Sequence, residues 1–142
     1  MIRRLAWLLL AVAGASAAQS ELRTGKQILA EVNARINNVD TAGLQKLARE
    51  RPELVLVDVR MGEELASLGG TIDAGYRTYN INRGWLEFRI RESVPDKNTP
   101  IVVFCSINDR SPLAADTLMH MGYTEVYNYA PGFFAWKDAG LP

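Results

Sequence analysis

The sequence predicts an α/β protein of three layers, a central parallel sheet flanked by helices. Three short apolar runs carry that expectation, at residues 54–57, 101–104 and 126–129. Strands buried on both faces read as continuous apolar runs rather than alternating ones, which is the mark of a parallel sheet. The stretches between them have helical spacing, as crossover connections require. In open sheets of this kind ligands gather at the carboxyl ends of the strands. Cys105, the only cysteine in 142 residues, stands directly after the run ending at Phe104.

Residues 1–18 are set apart from the fold. Arg3 and Arg4 precede an apolar stretch from Leu5 to Val12 and the small residues Ala13 to Ala18. This is the pattern of a secretory signal peptide. The small-x-small rule allows cleavage after Ala17 or after Ala18. A membrane anchor would need about 20 apolar residues, more than this stretch offers. The expected setting is periplasmic or secreted, with no membrane insertion after cleavage. Losing Arg3 and Arg4 takes the 16 basic residues to 14 against 16 acidic ones, a net of −2. Nothing in that balance suggests a nucleic-acid footprint. The 48% hydrophobic and 23% charged composition is that of an ordinary globular domain.

Residues 19–37 are expected as a helical extension. Ile28, Leu29, Val32 and Ile36 give Lys26 to Asn37 one apolar face. A second helix follows, capped by Asp40 or Thr41, striped with Leu44, Leu47 and Ala48, and ended by Pro52. Leu54 to Val57 reads as a central strand. Asp58 and Arg60 close it, either as a salt-bridged pair fixing the loop or as a charged rim beside a pocket. Met61 to Leu68 makes a short helix that Gly69-Gly70 breaks. Trp85 to Ile90 is expected to be helical. Arg77, Arg83, Arg89 and Arg91 form a basic cluster in sequence, a solvated face or an attractor for an anion.

The run Ile101 to Phe104 leads through Cys105 and a tight loop to a helix from Ser111 to Met121. Pro112 favours an extended Ser111, suited to an N-cap, and proline suits the first helical position. Ala114, Leu118 and Met121 share one face, and Gly122 offers the stop. Unpaired N–H groups and the positive end of the helix dipole at such a loop favour a thiolate and bound anions. An unpaired cysteine in an exported protein points to a reactive thiol or an intermolecular bond. His120, the only histidine, falls near the helix end beside Asp116 and Thr117 and reads as a surface residue. One Cys and one His make no metal site, and no cofactor is expected.

These residues resemble the active-site loop of the rhodanese family of sulfurtransferases. Gly122 to Tyr129 and Gly132 to Pro142 look like the family's closing strand and last helix. Leu56-Val57-Asp58-Val59-Arg60, followed by Glu63-Glu64, looks like its early strand end. The resemblance covers residues 38–142. It implies a rhodanese-like domain that carries a sulfane sulfur as a persulfide on Cys105. Ser106, Ile107, Asn108, Asp109, Arg110 and Ser111 would bind substrate, with Asp58 and Arg60 in support. The implied partners are a small sulfur-containing anion such as thiosulfate, a thiol or cyanide acceptor, and a protein as possible sulfur acceptor. A non-enzymatic sulfur carrier or partner-binding module is the alternative. Phosphatase or arsenate reductase chemistry is the other. Cysteine phosphatases carry Cys-x5-Arg, whereas Arg110 follows Cys105 after four residues, and in this superfamily the shorter loop goes with sulfur transfer. Two positions depart from the usual pattern. Asn108 stands where sulfurtransferases often have Gly, and Asp109 puts a negative charge beside Arg110. The His and Pro of the family's turn are missing at Thr71 to Gly75.

Overall fold

In a computed structural model, which describes residues 21–142, the two wholly apolar runs lie side by side at the centre of the sheet. β2 (Val55–Asp58) and β4 (Ile101–Phe104) pair in parallel, Val55 opposite Ile101 and Asp58 opposite Phe104, and every residue of both is buried. β5 (Val126–Tyr129) flanks β4, β1 (Asn37–Val39) flanks β5, and β3 (Arg77–Asn80) flanks β2. The order is β1-β5-β4-β2-β3, with all pairings parallel. The α/β expectation of a parallel sheet flanked by helices therefore holds.

Alternation along each strand divides the core in two. Val55, Val57, Ile101 and Val103 pack with Val32 of α1 (Gly25–Asn33), Leu86 and Ile90 of α4 (Leu86–Ser93), and Ala114 and Leu118 of α5 (Ser111–His120). Leu56, Val102 and Phe104 pack on the other face with Leu44 of α2 (Thr41–Glu50) and with Phe133 and Trp136 of α6 (Gly132–Asp138). α3 (Gly62–Leu68) contributes only the half-buried Leu68. Asp40 caps α2, its carboxylate accepting from the Gly43 N–H at 2.7 Å, a cap worth about 1 kcal/mol.

Three features differ from expectation, and the segment from Trp85 gains detail. The first helix ends at Asn33, and Asn37–Val39 joins the sheet as β1. Asn33 and Asn38 turn their amides onto the backbone carbonyls of Leu29 and Asn33, the local bonding by which asparagine competes with a helix. Ile36 is buried all the same. β3 is not signalled by the sequence, because Arg-Thr-Tyr-Asn on a half-exposed edge has no apolar run. The segment from Trp85 buries Leu86 and Ile90 but leaves Trp85 and Phe88 outside, edge to face, with Arg89 over the Trp85 ring. On α5, Ala115 is buried beside Ala114 and Leu118, whereas Met121 lies past the helix and is partly exposed. The expected signal peptide, at residues 1–18, lies outside the described residues, and no helix among those described is long and apolar enough to cross a membrane.

Candidate active site

Cys105 continues the alternation of Ile101 and Val103, so its side chain turns toward α5 and lies among core residues with no exposed surface. Its Sγ sits 3.2 Å from Asp109 Oδ1, to which the thiol donates, and 3.4 Å from Ser111 Oγ. Ser111 is itself fully buried, whereas the Asp109 side chain is half exposed. Asp109 therefore lies on the solvent side of the sulfur.

The chain between Cys105 and Arg110 is held from behind. Phe133 N–H donates to the Cys105 carbonyl at 2.8 Å and Phe134 N–H to the Ser106 carbonyl at 3.4 Å. Gly132 makes this approach possible. Its φ is +73°, and a Cβ there would lie 2.4 Å from the Ser106 carbonyl oxygen. Asn108 has a φ of 66°, the only positive value outside glycine among the described residues. Asparagine tolerates that region, and its carboxamide oxygen accepts from the Asn128 amide at 2.7 Å. Asn128 is fully buried in β5 and also donates to Asn38. The N–H groups of Ser106, Ile107, Asn108 and Arg110 have no acceptor among the described residues, that of Asp109 meets only its own carboxylate, and α5 begins at Ser111. Unpaired donors at a helix start favour negative charge in their vicinity.

Ser111 corrects an expectation. The residue at the cap is Arg110, in a helical conformation and with no capping side-chain bond, while Ser111 opens the helix and Pro112 is second. The hydroxyl is turned to Sγ instead of the helix end. Ser111 Oγ therefore has no capping duty and stands beside the sulfur, where it could relay a proton.

Arg110 is not a free cation. Its Nη1 and Nη2 pair with the two carboxylate oxygens of Glu64 at 2.5 and 2.8 Å, and its Nε faces Asp109 Oδ1 at 3.4 Å. Ser106 Oγ also reaches Glu64, at 3.3 Å. The sequence shows Glu64 only as one of two glutamates after Arg60, 46 residues from its partner. The Arg110 guanidinium holds the Glu64 carboxyl far below its usual range, at about 2. Burial pushes Asp109 up, but the Cys105 thiol and Arg110 outweigh it and leave the carboxyl below its ordinary value. A depressed carboxyl stabilises the fold above its unfolded value near 4.5 and loses that contribution as pH falls toward its folded value. Wild type should therefore exceed Glu64→Gln in stability by about 1 kcal/mol above pH 5, after allowance for solvent screening. The gap should close as the pH nears 2, as thermal melts of the two proteins at each pH will show.

Asp58 and Arg60 are both fully buried and pair with each other, Nε to Oδ1 at 2.9 Å and Nη2 to Oδ2 at 2.6 Å. Arg60 also donates to the Gly70 carbonyl and Thr71 Oγ1 to Asp58, so the pair closes the loop after α3. The guanidinium lies 3.9 Å from the Phe133 ring centre, behind the residue whose N–H holds Cys105. Neither residue contacts Sγ. Ile107 is exposed at the loop tip. The arginine cluster disperses. Arg77 opens β3, Arg83 pairs with Glu87 and Thr117, Arg89 covers Trp85, and Arg91 lines a separate 340 Å³ cavity with Lys97 and Tyr123. His120 is a surface residue with its Nδ1 at the Asp116 carbonyl. Among the described residues no three His, Cys, Asp or Glu side chains gather as metal ligands do.

The family model of the rhodanese-like domain matches residues 41–139, which include Cys105 and both of its hydrogen-bond partners, Asp109 and Ser111. The chain belongs to the rhodanese-like family. A sulfurtransferase of Allochromatium vinosum is 31% identical over 107 residues, 75% of this rhodanese-like chain and 94% of the relative. Among solved structures, the polysulfide-sulfur transferase homodimer of Wolinella succinogenes is 32% identical, with a TM-score of 0.72 over 82% of this chain and 84% of that one. A Rhodopseudomonas palustris protein of unknown function, described as a possible tyrosine phosphatase, is also 32% identical. Its TM-score is 0.73, over 87% of this chain and 96% of that one.

Proposed function

We propose that this rhodanese-like chain is a sulfurtransferase that moves a sulfane sulfur from a donor to a thiophilic acceptor through a persulfide on Cys105. The family and its sulfurtransferase relatives support the general chemistry. The observation that carries it to these residues is the Cys105 sulfur at a loop of unpaired N–H groups ahead of α5. The Cys105 thiolate attacks the outer sulfur of thiosulfate, the S–S bond breaks, and its electron pair leaves with sulfite. The persulfide anion left on Cys105 is held by the same N–H groups. Cyanide or a thiolate then attacks the outer sulfur, and the Cys105 thiolate is the leaving group.

Phosphate is the competing substrate, favoured by Ser111 Oγ beside Sγ and by one similar structure. The four-residue spacing from Cys105 to Arg110 argues against it. So does Arg110, whose guanidinium is engaged by Glu64 instead of being free to clasp an oxyanion. The proposed setting is the periplasm or the exterior, on the pattern of residues 1–18. Incubating the protein with sulfane-sulfur donors, thiosulfate and an organic persulfide, should add one sulfur atom to the intact mass, located on Cys105 by peptide mapping. Hydrolysis of an aryl phosphate without sulfur loading from either donor would replace this reading with the phosphatase one.

A further inference from the structure

We propose that Glu64 sets the charge class of the donor, so that the site takes sulfur from the persulfide of a low-charge thiol in preference to thiosulfate. The inference rests on sulfur transfer at Cys105. Arg110 is the only basic side chain between Cys105 and Ser111, and each of its three guanidinium nitrogens already faces a carboxylate oxygen. Nη1 and Nη2 meet Glu64 and Nε meets Asp109. A bidentate arginine–carboxylate pair uses the fork that would otherwise grip a sulfonate. Two carboxylates against one guanidinium leave the mouth of the site negative before the thiolate is counted.

Cations on neighbouring elements have partners of their own. Arg60 is buried against Asp58, Arg83 is paired with Glu87, and Lys137 donates to the Leu68 carbonyl. Both carboxyls sit below their ordinary values, so the charge persists across the working pH range. A dianion has to part Arg110 from Glu64 and then lie beside two carboxylates. A persulfide presents at most one charge, on the sulfur that the loop N–H groups receive. The Cys105 thiolate attacks the terminal sulfur of R–S–SH, the S–S bond breaks, and its electron pair leaves as RS⁻. The hydrogen stays on the transferred sulfur, giving Cys105–S–SH.

Glu64→Gln removes the charge, while its amide oxygen can still accept from the Met61 N–H and Arg110 Nη1 and its NH2 can donate to Ser106 Oγ; only the bond from Arg110 Nη2 is lost. The experiment measures sulfur loading of Cys105 by quenched intact mass against donor concentration, with thiosulfate and with the persulfide of 2-mercaptoethanol. In Glu64→Gln the half-saturating thiosulfate concentration should fall about tenfold, the part of a close charge–charge interaction that survives at a partly exposed site. The value for the persulfide should stay within about twofold, because uniform binding is unchanged. Asp109→Asn should shift thiosulfate in the same direction, and Glu64→Asp, which retains the charge, should keep the discrimination. Equal shifts for both donors would overturn the proposal and leave Glu64 as a positioning residue. Failure of wild type to load from either donor would overturn sulfur transfer itself.

Discussion

Cys105→Ser is expected to abolish sulfur loading and to lower transfer by on the order of a thousandfold or more, as loss of a covalent nucleophile does. The fold should survive. Cys105 is wholly buried beside Asp109 Oδ1 and Ser111 Oγ, two polar groups that a serine hydroxyl can pair with where the thiol now sits. The change is nearly isosteric, leaving no cavity of note and no orphaned donor. A melt within a few degrees of wild type, with no mass gain from thiosulfate or an organic persulfide, is the expected pair of results. Residual transfer comparable to wild type would remove Cys105 from the mechanism. An unfolded variant would show that its place in the core outweighs its chemistry.

Gly132→Ala should be the most damaging substitution of a residue that bears no reactive group. At φ +73° a side chain costs about 1–2 kcal/mol. The new Cβ would also meet the Ser106 carbonyl oxygen at 2.4 Å, the Ser106 carbonyl carbon at 2.8 Å and the Cys105 carbonyl oxygen at 3.0 Å. All three are backbone atoms, so no rotamer relieves the clash. Overpacking of this kind adds about 1–3 kcal/mol. Either α6 lifts from the loop, breaking the Phe133 N–H bond to Cys105, or the loop itself moves. Urea denaturation should show a loss of about 2–5 kcal/mol, and sulfur loading should slow in whatever remains folded. A loss under about 1 kcal/mol with loading at the wild-type rate would show that α6 does not hold the loop.

The centre of the sheet was legible in the sequence because β2 and β4 are buried on both faces and so carry an unbroken apolar signal. The edges were not. β1 and β3 are half solvated, and Asn37-Asn38 and Arg77-Thr78 carry no apolar period. The place of Cys105 at a strand end ahead of a helix could be read directly, as could Asn108 at a position where relatives often have Gly. The neighbours of the sulfur could not. Glu64 meets Arg110 only through the fold, and no local pattern links α3 to a loop 46 residues on. Ser111 obeyed a stronger demand than capping. Asn128 did leave a trace, as the lone amide within the run 126–129, and a buried amide calls for partners.

The pairing of the first strand with the last has a bearing on how the chain reaches this state. Asn37 lies opposite Tyr127 and Val39 opposite Tyr129, so β1 has no neighbour in the sheet until β5 exists. The central β2–β4 pair can assemble earlier, without either. A ring of some ninety residues must close before β1 gains its ladder, and closure of such a ring is slow to nucleate although its entropic cost grows only with the logarithm of length. β1 can join the sheet only once β5 is in place. The Asn38–Asn128 bond, which braces the Cys105 loop through Asn108, belongs to that step. The bracing of the reactive loop through Asn108 therefore depends on the pairing of elements from opposite ends of the domain.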